Sequence, residues 1–389
     1  MFVLFRKIRV AKVTGFILLG LFYYARILGV IFFKPNKSKH GLFEMSCLRP
    51  LWKWAIFICQ LVMLSFYIYK YIMWTLDRLD WLDQVQNYKS LLLSIWSFLG
   101  LMGMKIFHGS KVIKLVNRYL RIFHRVRTLP VEKKIGFGNS RDFFLILLTL
   151  CCLCHEFVFY SETLLYNHTF VDIIDWFCYV YVVTVNHIMM RIHFFWYLSV
   201  GVLYSDLNEY ARSEVKNLSF PRGNQRKTLR RLKECLKMYE EIASITSTFQ
   251  DIFNFHLFLT LVQIFFYVSV YSYDMIQFLN FHDIWRWGFF LKIIMDFLLL
   301  SVAIHGAVNQ FKGIRDLHFE MCGFGGCQEW QKMVEVFLSH LNQFELRVTI
   351  LGLFDVSMEF YLEIASGIVT YLIFVIQTVM QLENEEETV

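Results

Sequence analysis

The stretch "GLFDVSMEFYLEIASGIVTYLIFVIQTVMQLENEEETV", residues 352–389, contains an apolar run at 353–380 that ends against a cluster of glutamates. About 20 apolar residues reach across a hydrocarbon core roughly 30 Å thick, so the run predicts a membrane-spanning helix. Within it Ser366, Thr370, Ile373, Gln377 and Met380 recur at spacings of four, three, four and three, one stripe on a helix. A hydroxyl or amide turned toward acyl chains is costly, so the stripe should face protein or water. Two uses fit it. Ser and Thr can bond back to their own backbone while Gln grips a neighbouring helix; alternatively the stripe lines a pore.

The rest of the chain reads the same way. Of 389 residues 57% are hydrophobic and 18% charged, with 41 Phe, which excludes an ordinary water-soluble domain and predicts an all-α polytopic membrane protein. Spans are predicted at 51–74, 89–108, 142–163, 172–204, 252–275, 288–310 and 353–380. A further apolar stretch at 14–33 contains Arg26 and is basic on both flanks, so it predicts a segment within 1–50 that dips into or lies along the interface. The start "MFVLFRKIRVAKV" has no small-residue cleavage site after its apolar run, so no removable signal peptide is predicted.

Net charge is +7, and the basic residues are unevenly placed. They crowd 1–50, 109–141, 205–251 and 311–352, whereas the opposite loops hold Arg78 and Arg286, with Lys89 at the edge of the second span. The positive-inside rule then puts the N-terminus in the cytosol and the C-terminus outside. The sequon at Asn167 falls in an outer loop and is the predicted glycosylation site. All four prolines lie outside the spans, and no DRY-like or NPxxY-like motif occurs.

Two cytosolic stretches keep a helical period. In 205–251 Leu229, Leu232, Leu236, Tyr239 and Ile242 share a face, which predicts a helical extension of the flanking spans. In 311–352 a hinge-like "GFGGC" precedes an anchor helix with Met333, Val336, Phe337 and Leu341 on one side. Together they predict a small helical domain under the membrane.

Aromatic and polar residues collect in the outer halves of the spans. Glu156, Tyr160, Trp176, Tyr179, His187, Tyr267, Tyr271 and Trp287 are candidates for a small-molecule pocket; in so aromatic a chain, ordinary packing is the competing reading. Glu156 is the sharpest, since an acid inside a span needs a partner, and His187 is a candidate for it. The tail at 381–389, with Glu383, Glu385, Glu386 and Glu387, is either a solvated end or part of an acidic ring that gathers cations at a mouth.

Enzymatic chemistry finds no support. "HEFVF" at 155–159 lacks the second His of a zinc-protease helix, and Cys322 and Cys327 have no second Cys pair. No phosphate loop or nucleophile constellation appears, so no catalytic residue, cofactor or metal is predicted. The basic loops suit the bilayer surface and not nucleic acid.

Gly352-Leu353-Phe354, then Thr370-Tyr371, five apolar residues and Gln377, resemble the C-terminal signature TYhhhhhQF of the insect gustatory receptors. "YYARILGV" near the start is similar to the segment before that family's first span. The resemblance implies a ligand-gated, non-selective cation channel, a homo- or heterotetramer with other such subunits in the plasma membrane of gustatory neurons. It implies a non-volatile tastant, bitter or aversive, with a sugar or a metabotropic receptor as alternatives. It implies also that the last span lines the pore, with Gln377 near an outer gate. Thr378 stands where the signature has Phe, so Ile373 or Ile376 is expected to close the pore.

Overall fold

The computed structural model describes residues 2–37, 43–77, 81–130, 136–165, 170–218, 225–278, 284–322, 332, 339, 346–352 and 354–386. In chain order the elements are α1 (Phe2–Ile27), β1 (Phe33–Lys37), β2 (Phe43–Cys47), α2 (Pro50–Leu76), α3 (Trp81–Phe107) and α4 (Gly109–Thr128). They continue with α5 (Ser140–Leu165), α6 (Phe170–Leu218), α7 (Gln225–Phe278), α8 (Ile284–Cys322), β3 (Thr349–Ile350), β4 (Phe354–Asp355) and α9 (Met358–Glu386). Each predicted span overlaps one of these helices. Among the described residues, four helical stretches are long and apolar enough to cross a membrane: Val10–Ile27, Pro50–Met73, Ser140–Ser161 and Trp287–Gly313.

Helix α6 is the spine, packed on α2, α5, α7 and α8. Its 49 residues and the 54 of α7 give helices about 70–80 Å long, more than twice a bilayer core, so each must extend well beyond it. Within 205–251 the residues to Leu218 and from Gln225 are helical, and 219–224 lie outside the described residues. Leu232, Leu236, Tyr239 and Ile242 are buried there as expected, while the side chain of Leu229 lies outside the described residues. The Tyr204, Tyr239 and Phe311 rings cluster where α6, α7 and α8 meet, and Tyr239 donates to Asn208 Oδ1. Burial pushes the Cys235 thiol up to about 12, with the nearby Glu214 adding to it, so the thiol stays protonated as packing.

Apolar burial cannot hold helices together in lipid, because acyl chains are as apolar as Leu. Close backbone approach and polar contacts do so instead. Where α6 meets α8, a Cβ on Gly201 would lie 3.4 Å from the Ala307 Cα, so only a small residue lets the two helices come this close. The outward faces are apolar: Leu51, Trp52, Trp54, Val62 and Tyr69 on α2 stand exposed, which suits lipid contact.

The segment around 14–33 is helical to Ile27, then turns at Gly29 (φ +69°), a left-handed conformation that suits glycine. Thr14 Oγ1 donates to Phe137 O just before α5, while Phe32 and Met45 return beside α4.

The last helix starts later and ends later than the apolar run suggests. A short hairpin pairs Thr349 with Asp355, and its turn holds Leu351 and Gly352 at φ +50° and +72°. Ser357 Oγ then accepts the Phe360 N–H at 3.1 Å, an N-cap that fixes the start at Met358. Residues 381–386, predicted as tail, continue the helix. Met333, Val336, Phe337, Leu341, Cys327 and Glu387 lie outside the described residues.

Candidate functional site

Three helices that each look like a plain apolar span bring charge to one place. Glu156 on α5 is 2% exposed and reaches His187 and Arg191 on α6 and Lys292 on α8. Its Oε1 lies 3.1 Å from His187 Nδ1, its Oε2 pairs with Arg191 Nη2, and Lys292 Nζ stands 3.4 Å away. Asp296, one turn after Lys292 on α8, closes the group at 3.0 Å from Lys292 Nζ and 3.8 Å from Arg191 Nη2.

The charges balance. Two carboxylates face one guanidinium and one ammonium, and the His187 imidazole completes the set. His187 Nδ1 is 3.1 Å from Glu156 Oε1 and also 3.1 Å from Lys292 Nζ, so it can donate to the acid or accept from the ammonium, one at a time. Balance is what allows five polar groups inside an apolar bundle, where one uncompensated charge costs several kcal/mol.

An aromatic shell adjoins the charges. Lys292 Nζ lies over the Phe289 ring at 5.5 Å from its centroid, and that ring is 6.3 Å from His187 and 6.4 Å from Tyr160. Trp176 Nε1 donates to the Tyr160 carbonyl at 2.9 Å, and the Tyr179 ring stands edge-on to Tyr160 at 6.4 Å. Glu156, Tyr160, Trp176, Tyr179 and His187 are thus contiguous. Trp287 is partly exposed and packs edge-on against Phe290. Tyr267 and Tyr271 lie on α7 with side chains outside the described residues, as does the whole of Asn167.

Two buried polar atoms of the cluster, Arg191 Nε and Nη1, hold no hydrogen bond among the described residues, and the same holds for both polar side-chain atoms of Asn186, which precedes His187 on α6. Buried polar groups are nearly always satisfied, so these are positions where a guest or water would bind. Glu156 and its pairing with His187 were legible in the sequence; Arg191, Lys292 and Asp296 were missed. Their signal was available: Arg191 interrupts "NHIMMRIHFFW", and Lys292 and Asp296 sit four apart in "LKIIMD", each a charge inside an apolar run.

The second candidate region is α9, which packs on α7 and α8 along one face, with Ile368 buried and Tyr361 against Phe297 at 5.2 Å. Ser366, Thr370, Tyr371, Ile373, Ile376 and Gln377 are all exposed in the single chain. Thr370 Oγ1 bonds back to Ser366 O at 2.9 Å, so that hydroxyl is already satisfied. The side chains of Thr378, Glu383, Glu385 and Glu386 lie outside the described residues. At the base of α9 the signature's Gly352 occupies its positive-φ turn, Phe354 stacks on Phe360 at 5.8 Å, and Asn254 Oδ1 on α7 accepts the Leu351 N–H at 2.9 Å.

A bundle of long apolar helices, with a balanced ion cluster inside and an exposed face on its last helix, fits a multi-pass membrane receptor. The chain belongs to the family described as 7tm Chemosensory receptor, whose profile matches residues 18–382. It is 30% identical over 390 residues to putative gustatory receptor 92a of Drosophila melanogaster, covering 99% of this chain and all of that one. It is 32% identical over 388 residues to putative gustatory receptor 93b of the same fly, with 97% and 96% covered. Gustatory receptor for bitter taste 93a, also from D. melanogaster, is 26% identical over 296 residues, 68% of this chain and 67% of that one. The fold is that of the insect olfactory receptor OR5 from Machilis hrabei, at a TM-score of 0.65 and 10% identity over 92% of this chain and 99% of that one. OR5 in complex with eugenol matches at a TM-score of 0.61 and 12% identity, with 96% and 99% covered. The family is one of chemosensory receptors, and enzymatic function falls outside it.

Proposed function

We propose that this chain is a subunit of a ligand-gated, non-selective cation channel that detects a non-volatile, bitter or aversive tastant. The observation that carries the reading is α9: Ser366, Thr370, Ile373 and Gln377 fall on one stripe of its apolar run and are exposed, with Ile376 exposed beside them. Polar groups on a lipid-facing surface are costly, so such a stripe calls for water or other subunits. Four copies placing α9 about a shared axis provide both. Gln377 then stands near the outer gate, Ile373 or Ile376 forms the apolar constriction, and the glutamates from Glu383 to Glu387 draw cations to the mouth.

The ligand site in this reading is the shell of Tyr160, Trp176, Tyr179 and Phe289, with Arg191 and Asn186 supplying donors. Balanced charge around Glu156 favours a small, mainly neutral and apolar compound with a hydrogen-bonding group. The word bitter in the name of one relative and the eugenol bound by OR5 agree with that chemistry. The N-terminus is cytosolic, the C-terminus and Asn167 are outside, and the protein resides in the plasma membrane of gustatory neurons.

Recording from cells that express this subunit, alone and with partner subunits, against a panel of bitter compounds tests the reading. The expected result is a cation current in excised patches without GTP. A response that requires a G protein defeats the channel reading, and the absence of glycosylation at Asn167 in an otherwise surface-exposed receptor defeats the orientation.

A further inference from the structure

At the end of the bundle that carries α4, α2 and α3 flank an open recess lined by Gly29, Phe32, Lys53, Trp54, Ile56, Phe57, Gln60, Lys105 and Ile106. Two features set it apart from ordinary packing. One is its charge. Lys105 is 6% exposed, and among the described residues its Nζ has one partner, the Gln60 amide oxygen at 2.8 Å. Gln60 is itself held, its Nε2 donating to Tyr181 Oη at 2.6 Å and to Leu28 O at 3.2 Å, so the ammonium is met by a fixed dipole and by no carboxylate among the described residues.

Lys53 brings a second cation. Its Nζ lies over the Phe32 ring at 5.8 Å and is 3.8 Å from where a Cβ on Gly109 would sit, at the first residue of α4. That helix starts without a side-chain cap, so its free N–H groups and positive dipole end add to the two ammonium groups. Three positive features converge on one recess, and an anion is what relieves their mutual repulsion and desolvation.

The other feature is the wall. Ile56, Phe57, Ile106 and Trp54 are apolar, and Trp54 and Ile106 are exposed. A free inorganic anion gains nothing from such a wall, whereas an amphiphile lays a chain along it.

We propose that this recess binds an anionic phospholipid of the adjoining leaflet, its phosphate held by Lys53, Lys105 and the first turn of α4 and its acyl chain against Ile56, Phe57 and Ile106. The site depends on the chain spanning a bilayer and is independent of the tastant, the pore and the orientation. With the N-terminus cytosolic, the leaflet is the inner one, where acidic lipids concentrate.

The full-length protein, reconstituted in phosphatidylcholine vesicles doped with spin-labelled phosphatidylserine or spin-labelled phosphatidylcholine, tests this without a channel recording. Wild type should hold phosphatidylserine in preference to phosphatidylcholine. Lys53→Gln and Lys105→Gln should each lower that preference about fivefold, the scale of one basic residue at an anionic surface. Lys237→Gln, an exposed lysine on α7, should leave it unchanged. If Lys105→Gln fails to fold, the partly exposed Lys53→Gln carries the result. Equal retention of both lipids by wild type, or unchanged preference in both recess variants, overturns the proposal. Displacement of spin-labelled phosphatidylserine by inorganic phosphate at equal concentration would assign the recess to a free anion and overturn the lipid.

Discussion

The ion cluster of α5, α6 and α8 and the stripe of α9 pose the same chemical problem, polar groups on apolar helices, and solve it in opposite ways. Glu156, His187, Arg191, Lys292 and Asp296 close on one another within one chain. Among the described residues the α9 stripe shows one bond, Thr370 Oγ1 donating back to Ser366 O. A group satisfied inside the chain belongs to folding, and a group left outward belongs to assembly or permeation. Substitutions in the first region should therefore cost stability, and substitutions in the second should cost function at constant stability.

The largest expected effect is at the cluster. Glu156→Gln leaves Arg191 and Lys292 facing Asp296 alone, and breaking a buried pair this way costs about 3–5 kcal/mol. Loss of the folded receptor on heating, followed by fluorescence-detected gel filtration, should show it. Adding Lys292→Gln restores neutrality and should recover part of the loss, a coupling that a double-mutant cycle measures. Additive losses would dissolve the cluster as a unit.

Next comes the turn at the base of α9. Gly352→Ala forces a side chain into φ +72°, a strain of about 1–2 kcal/mol. Because the turn is tied to α7 through Asn254, ligand sensitivity should shift along with melting; a shift in melting alone would remove the hairpin from gating.

A smaller effect is expected at the basic face of α4. Glu241 pairs with Arg125 and, at 3.7 Å, with Arg118, but both arginines are about half exposed, so solvent screens the pairs. Glu241→Gln should change stability by no more than about 1 kcal/mol, and less in high salt.

The smallest stability effect marks the other pole. Gln377→Leu should stay within about 0.5 kcal/mol of wild type in the same melting assay. In single-channel recordings it should alter conductance or ion preference. Unchanged permeation takes Gln377 out of the pore, and a large drop in melting makes it structural like Glu156.

Much of this architecture was written in local pattern. Apolar runs, the period along Leu232 to Ile242 and the basic loops needed only near neighbours to be read, because span length and helical period are properties of consecutive residues. Ser357 as the start of α9 was equally local and was overlooked, since the apolar run begins earlier than the cap. The site was only partly legible. Glu156 stood out as an acid in a span, and its reach to His187 was anticipated, but Arg191, Lys292 and Asp296 looked like isolated blemishes in three separate runs.

The sequence by itself determined that this chain is a helical membrane receptor, because bilayer thickness imposes length and apolarity on every crossing segment regardless of what it packs against. It carried also the family signature at Thr370, Tyr371 and Gln377. Tertiary structure alone decided which buried charges neutralise one another and that Lys105 and Lys53 share a recess. Charge compensation acts over a few ångströms in space, and residues as far apart in the chain as Glu156 and Lys292 come within that distance only when the helices pack.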